Sequence, residues 1–221
     1  MTPEIEATAR KSRGRPKTFD RMTAIQQAMK LFWEHGYEGT TFDDLIKAMG
    51  ISASSFYNTF GSKEQLYREA TDAYLALSSK WFSKTLGDDV DAKTAFDRLF
   101  SATAHEFTRD DLPAGCMISL AETHVPVQHA SLRDMMMTYR SLSESALAAR
   151  LRKGVEDGDL PPDTNTDSLA AFYSAVARGM AVQARDGASV ERLLEIGQLA
   201  MQVWPPVLVK KPIRRVPKKK T

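Results

Sequence analysis

Residues 40–60, TTFDDLIKAMGISASSFYNTF, restrict the fold of this chain more than any other stretch. Thr41 stands before an apolar, helix-periodic segment, and Asp44 follows it at the spacing of a helix-capping pair. Gly50 ends that segment, because glycine adopts the left-handed conformation of a helix end at little cost. Ser52 is suited to cap a second helix. The stretch therefore predicts two short helices joined by a sharp turn.

The second of these helices combines an apolar anchor with a small polar surface. Phe56 and Phe60 lie one turn apart and can hold it against the first helix. A helix set across another by a short turn has the shape that enters a DNA major groove, although it also fits an ordinary helical hairpin. A lysine at the next helix start suits a phosphate. The predicted DNA contacts here are Thr40, Thr41, Ser52, Ser54, Ser55, Tyr57, Asn58 and Lys63.

Four segments around this stretch together resemble the DNA-binding domain of the TetR family of bacterial repressors. They are LFWEHGYEGTT at 31–41, GIS at 50–52, FYNTF at 56–60 and GSKEQL at 61–66. The resemblance implies a homodimer that binds double-stranded palindromic DNA and responds to a small-molecule effector. Many relatives carry a basic residue or histidine where this chain has Asn58 and Thr59, so the preferred bases are not transferred.

The predicted fold class is all-α, with about nine helices in total. An N-terminal three-helix helix-turn-helix head spans residues 18–64, with its motif at about 41–60. A larger C-terminal helical ligand-binding and dimerisation domain spans residues 65–204. Helical patterns within it end near residues 86, 107, 124, 156, 185 and 204, and no stretch indicates a strand.

Basic segments flank this helical body. Residues 1–21 carry a charge of +3 and residues 205–221 carry +7, so a chain of net charge +2 leaves −8 for residues 22–204. Residues 1–17 read as a flexible arm in which Arg13 and Arg15 can lie along an A·T-rich minor groove. A solvated basic leader is the alternative. Residues 205–221 read as a disordered basic tail.

The larger domain is rich in bulky apolar side chains, including methionines that adapt to irregular shapes. Such residues usually form plain core, but the family resemblance implies that a helical C-terminal domain binds a small molecule. The predicted effector pocket consists of Phe96, Phe100, Cys116, Met117, Leu120, Met136, Tyr139 and Phe172.

The last two predicted helices suit a dimer interface. The first carries small residues that allow close helix approach, and the second is apolar over more than one face. Two such pairs would form a four-helix bundle across a two-fold axis, as the family resemblance also implies. The predicted interface consists of Ala175, Gly179, Leu193, Gly197, Ala200 and Met201.

Cys116 is the single cysteine of the chain, which rules out an internal disulfide and fits a reducing cytoplasm. It follows Gly115 at a predicted helix start, a position that stabilises a thiolate. A cysteine that senses electrophiles and a small buried apolar residue are the two interpretations.

No nucleophile–base pattern, phosphate-binding glycine loop or zinc-type ligand spacing occurs in the sequence, so no enzyme activity, cofactor or metal site is predicted. No apolar run approaches the ~18 residues that would span a membrane. We expect a cytoplasmic transcriptional repressor. A ligand-responsive activator and, less favoured, a helical enzyme remain as alternatives.

Overall fold

The computed structural model describes residues 20–121 and 127–206, and in these ranges the chain is helical and contains no strand, which confirms the all-α fold class. The helices are α1 (Arg21–Gly39), α2 (Phe42–Met49), α3 (Ala53–Phe60), α4 (Lys63–Thr85), α5 (Ala92–Phe107), α6 (Met117–Leu120), α7 (Ala130–Glu156), α8 (Thr166–Arg185) and α9 (Val190–Met201). The basic arm with Arg13 and Arg15, and the tail beyond residue 206, lie outside the described residues.

Local features set the bounds of α1 and α7. α1 begins at Arg21, within the predicted head at residues 18–64, because the side chain of Asp20 accepts hydrogen bonds from the backbone N–H groups of Met22 and Thr23. The backbone of Gly36 is not helical, with a positive φ of 72°, so α1 is kinked at this residue before it continues to Gly39. α7 starts at Ala130, directly after a 3-10 turn at Val127–His129.

An aromatic cluster forms the core of the head. The rings of Phe32 and Tyr67 meet edge to face at 4.9 Å, and Tyr37 meets Tyr67 at 5.1 Å. Such edge-to-face contacts fix ring orientation as well as burying area. They hold α1 against α4, and α2 and α3 lie across this pair.

The head core does not end with the first four helices. Met117 and Ile118 of α6, and Leu132 and Met136 of α7, are buried in the same apolar cluster as the head aromatics. α4 supplies head-core residues as far as Tyr74 and then continues into the larger domain. Residues distant in the sequence therefore close the head.

A second core lies among α5, α7, α8 and α9. Tyr173 is its centre, with ring contacts to Phe96 at 5.1 Å and to Phe100 at 5.4 Å. α9 approaches α5 closely because Gly197 has no side chain: a Cβ there would lie 2.7 Å from the Cβ of Phe100. This close approach decides which face of α9 is buried.

Polar links join the head to the larger domain. Arg185, at the end of α8, forms an ion pair with Glu34 at 3.1 Å and donates to the carbonyl oxygens of Trp33 and Glu34. Lys30 of α1 donates to the carbonyl oxygen of Asp111 at 3.0 Å. Together with α4 and α6, these bonds fix the position of α1 relative to α8.

Candidate nucleic-acid interface and internal cavity

α3 is held by its two phenylalanines and by a serine cap. Phe56 and Phe60 are 0% and 1% exposed, so one face of this two-turn helix is fully buried. Ser52 accepts a hydrogen bond from the backbone N–H of Ser55 at 3.2 Å. Gly50 ends α2 in the left-handed conformation, with φ of 66°, and this sets the direction of the turn between the two helices. α3 is therefore short, capped and rigidly seated.

The opposite face of α3 is exposed and polar. Ser54, Ser55 and Asn58 are exposed, as the sequence-based prediction of DNA contacts requires. Tyr57 is 57% exposed, and its ring stacks on Phe42 with centroids 5.2 Å apart. The stacking fixes the direction of the phenol and leaves its hydroxyl at the surface.

The start of α2 carries a complete capping box. Thr41 accepts from the backbone N–H of Asp44 at 3.1 Å, and the Asp44 carboxylate accepts from the backbone N–H and the hydroxyl of Thr41. The Thr41 hydroxyl bond holds the pKa of Asp44 below its usual value. Thr41 itself is exposed, beside the start of the turn motif.

Thr40 requires a correction. Its side chain is fully buried, and its hydroxyl donates to the carbonyl oxygens of Gly36 at 2.7 Å and Leu31 at 3.3 Å. These two hydrogen bonds hold Thr40 against the kink at Gly36, and burial keeps its hydroxyl away from a DNA phosphate. Thr40 therefore supports the motif from inside rather than contacting DNA through its side chain.

Lys63 lies at the start of α4, which Ser62 caps. Its ammonium group lies over the ring of Tyr37, 4.3 Å from the centroid. This cation–π contact holds the charge near the helix N-terminus and next to the head core. A phosphate contact for Lys63 stays a prediction.

A cavity of about 420 Å³ lies within the larger domain. Its walls come from α4, α5, α6, α7 and α8. Cys116 and Tyr139 are the two predicted pocket residues on its wall. Side chains that the sequence-based prediction missed, among them Tyr74, Trp81, Phe107, Arg140 and Arg178, form other parts of it.

The other predicted pocket residues require correction. Phe96 and Phe100 pack around Tyr173 in the second core, and Leu120 packs at the edge of that core. Met117 and Met136 belong to the head core. Phe172 is 41% exposed and lines a shallow surface groove instead. These residues are bulky and apolar because they fill cores, which sequence patterns do not distinguish from a cavity wall.

The thiol of Cys116 is hydrogen-bonded at the cavity wall. Its Sγ accepts from the hydroxyl of Tyr74 at 3.1 Å and from the backbone N–H of Ser119 at 3.4 Å. Burial, and then the neighbouring thiol, raise the pKa of Tyr74 well above its usual value. The ring of Tyr74 also meets Trp33 edge to face at 4.9 Å, so one side chain touches both the cavity and α1. Reactivity of Cys116 stays a prediction.

The predicted dimer residues divide between two environments. Ala175 and Gly179 of α8 are exposed. The four residues of α9 are buried inside the same chain, because α9 packs on α5, and the prediction requires correction for them: Leu193, Gly197, Ala200 and Met201. The exposed apolar side chains on these two helices are instead Phe172, Val182, Leu199 and, just after α9, Val203.

In the described ranges no helix is long and apolar enough to cross a membrane. Histidine, cysteine, aspartate and glutamate side chains of the same residues form no cluster of three or more that would hold a metal ion.

A capped turn motif with an exposed polar second helix, joined to a larger helical domain with a cavity, defines a DNA-binding transcriptional regulator. The comparisons agree. Residues 24–70 match the family described as bacterial regulatory proteins, tetR family, and residues 94–195 match the tetracyclin repressor-like C-terminal domain. The chain belongs to the TetR family.

Individual relatives match over most of their length. The HTH-type transcriptional repressor ComR of Escherichia coli (strain K12) is 34% identical over 206 residues, which cover 93% of this chain and 98% of ComR. The TetR family transcriptional regulator CifR, solved as a cysteine mutant complexed with 26-bp double-strand operator DNA, is 39% identical. That match has a TM-score of 0.83 and covers 87% of this chain and 100% of CifR. A TetR regulator from Rhodococcus sp. RHA1 is 34% identical, with a TM-score of 0.57 over 84% of this chain and 99% of that one.

Proposed function

We propose that the protein is a homodimeric repressor that binds a palindromic operator through paired α3 helices and leaves it when a small molecule occupies the cavity. The exposed polar face of a rigidly seated α3 is the observation that carries the proposal. The relative ComR is a transcriptional repressor, which supports repression rather than activation of transcription.

The chemistry of α3 suits direct reading of base edges. Ser55 and Asn58 are short, exposed side chains that donate and accept hydrogen bonds, and these are the groups that distinguish bases in the major groove. Tyr57 and Lys63 flank them with a hydroxyl and an ammonium group that suit phosphate oxygens. Base contacts and phosphate contacts are thus assigned to different residues of one surface.

Dimerisation is proposed through the exposed apolar side chains of α8 and α9. Phe172, Ala175, Gly179 and Val182 recur at spacings of three and four residues, which places them on one face of α8. Leu199 is 60% exposed on α9. A two-fold contact between two copies of this face would form a four-helix bundle and pair the two heads.

The effector is proposed to bind the cavity because its wall is connected to α1. Tyr74 lines the cavity and contacts Trp33, and Trp33 is followed by Glu34, which pairs with Arg185. An effector that displaces Tyr74 would shift α1 and, with it, the spacing of two heads.

The test begins with selection of bound DNA from a random pool, followed by binding measurements on the selected operator. Ser55→Ala and Asn58→Ala should lower affinity and relax preference at particular base pairs, by about 1–3 kcal/mol for each lost base contact. Tyr57→Phe and Lys63→Ala should weaken all sequences alike, and Lys63→Ala, which removes a positive charge, should also reduce the salt dependence by roughly one counterion.

Ser101→Ala, on the exposed face of α5, is the matched control and should bind as wild type. Recovery of no palindrome from the pool, or unchanged binding by all four head variants, would overturn the proposal.

A further inference from the structure

Two arginines lie on the wall of the cavity. Arg140 of α7 and Arg178 of α8 line it beside a mainly aromatic and aliphatic surface that includes Tyr74, Trp81, Phe82, Leu99, Phe107 and Leu147. Both side chains are only partly buried, with Arg178 41% exposed, so each loses part of its hydration against this apolar surface. A negative charge beside them would offset that loss.

The described residues supply one carboxylate for the two guanidinium groups. Arg178 pairs with Glu144 at 3.3 Å. Arg140 donates to the carbonyl oxygen of Ile118 at 3.1 Å, and no carboxylate of the described residues lies within ion-pairing distance of it. Among the described residues, the cavity wall therefore carries an excess positive charge on Arg140.

The environment of Arg140 disfavours its charge. Burial, and then repulsion from Arg178, lower the pKa of Arg140 from its ordinary value. An anion placed against both groups would offset these effects, since opposite charge nearby favours the cation.

Hydroxyl groups adjoin both arginines. Ser174 precedes Arg178 by one helical turn, is 7% exposed and lines the cavity, and Ser143 lies three residues after Arg140 on the same wall. The Ser143 hydroxyl already donates to the carbonyl oxygen of Tyr139 at 3.1 Å, so Ser174 is the serine that can donate to a carboxylate held by the guanidinium groups. The polar part of the cavity thus includes the two guanidinium groups and the Ser174 hydroxyl as donors, while much of the remainder is apolar.

We propose that the effector is an organic acid, whose carboxylate binds Arg140 and Arg178 and whose apolar body fills the aromatic part of the cavity. This inference rests on the proposed function, in which the cavity receives the effector. Arginine matches carboxylate geometry with two parallel hydrogen bonds. The volume of about 420 Å³ lies within the ~300–1,000 Å³ of ordinary ligand pockets.

The same contact gives the acid a route to the head. Arg140 binds the carbonyl oxygen of Ile118, and the Ile118 side chain is buried in the head core. A carboxylate that draws the guanidinium group into the cavity competes with this bond to α6. Arg140 would then couple binding of the acid to a shift of the head core.

The experiment compares three acids with their neutral amides on the full chain: octanoate, decanoate and 4-phenylbutyrate. Calorimetry measures binding to the protein without DNA, and fluorescence anisotropy separately measures operator binding with each compound. We expect at least one acid to bind about tenfold or more tightly than its amide, since hydrogen bonds to charged groups exceed neutral ones.

Variants locate the anion. Arg140→Gln and Arg178→Gln should each weaken the acid at least tenfold and leave the amide unchanged. Arg140→Lys should restore part of the loss. Arg133→Gln is the matched control: the same charge change on the same helix, at an exposed residue outside the cavity wall. Circular dichroism melting checks that each variant is folded.

The outcomes separate the two proposals. Equal binding of acid and amide, no binding of any of the three acids, or equal weakening by Arg133→Gln and Arg140→Gln overturns the anion site. Arginine-dependent binding of an acid that leaves operator affinity unchanged supports the site and overturns the effector role. Failure to bind any operator overturns the proposed function and leaves the calorimetric result standing.

Discussion

Gly115 and Gly50 show how much a single missing side chain can matter. Both have positive φ, 81° at Gly115 and 66° at Gly50. A Cβ at Gly115 would lie 2.6 Å from the carbonyl oxygen of Ala181, whereas a Cβ at Gly50 would meet nothing within 4 Å. One glycine allows close approach of α8, and the other only allows the turn.

Gly115→Ala should therefore destabilise the protein far more than Gly50→Ala. The first adds a clash with backbone to an unfavourable φ and should cost about 3 kcal/mol or more, while the second costs about 1–2 kcal/mol of backbone strain. Urea unfolding of the two variants, with unchanged denaturant slope, measures the difference. Similar losses would show that the contact with Ala181 relaxes freely.

At this scale the sequence predicts exposure on α3 well and cavity walls poorly. Phe56 and Phe60 stand at helical spacing, so the polar residues between them face outward. Arg140 was missed because a search for apolar residues passes over a charge, although it lies one turn after Met136 on a helix with an apolar stripe. That interruption of the stripe was the available signal.

Among the elements, α8 holds the end of α1 in place through Arg185. The bonds from its guanidinium group to Trp33 and Glu34 join segments about 150 residues apart in the sequence. Its side chain is 24% exposed, so these interactions are better shielded from solvent than most ion pairs of the surface.

Arg185→Gln should loosen the end of α1 without unfolding the protein. We expect faster amide hydrogen exchange in residues 31–40 and a weaker effect of bound effector on operator affinity, because the link between α8 and α1 is lost. Arg192→Gln removes an exposed pair with Glu195 on α9 and serves as control. Equal exchange in the two variants would contradict the role of Arg185.

Helix identity was predictable from periodicity, but the buried face of a helix was not always so. α9 is apolar over more than one face, and the pattern alone does not say which face meets α5. Gly197 settles it by admitting Phe100, a contact between residues almost a hundred positions apart. Long-range packing of this kind leaves no local sequence signal.

For the whole molecule, the exposed apolar face of α8 and α9 is the proposed contact between two copies. Val182→Glu places a charge in that face and should yield monomers, since an unpaired charge at a buried interface is costly. Light scattering coupled to size exclusion measures the mass, and affinity for the full palindrome should fall with it. Met137→Glu, at another exposed apolar residue, should stay dimeric. A dimeric Val182→Glu protein would place the interface elsewhere.

The shared core of the head has a consequence for modularity. Phe32, Tyr37 and Tyr67 lie in one apolar cluster with side chains of α6 and α7, and α4 runs without a break from that cluster into the larger domain. A cut near residue 64 would remove Tyr67 and the side chains from α6 and α7, exposing Phe32 and Tyr37. A chimaera that grafts this reading head onto a foreign sensor would have to carry α4, α6 and the first turns of α7 with it. The DNA-reading head of this chain thus shares its core with helices that form the wall of the proposed effector cavity.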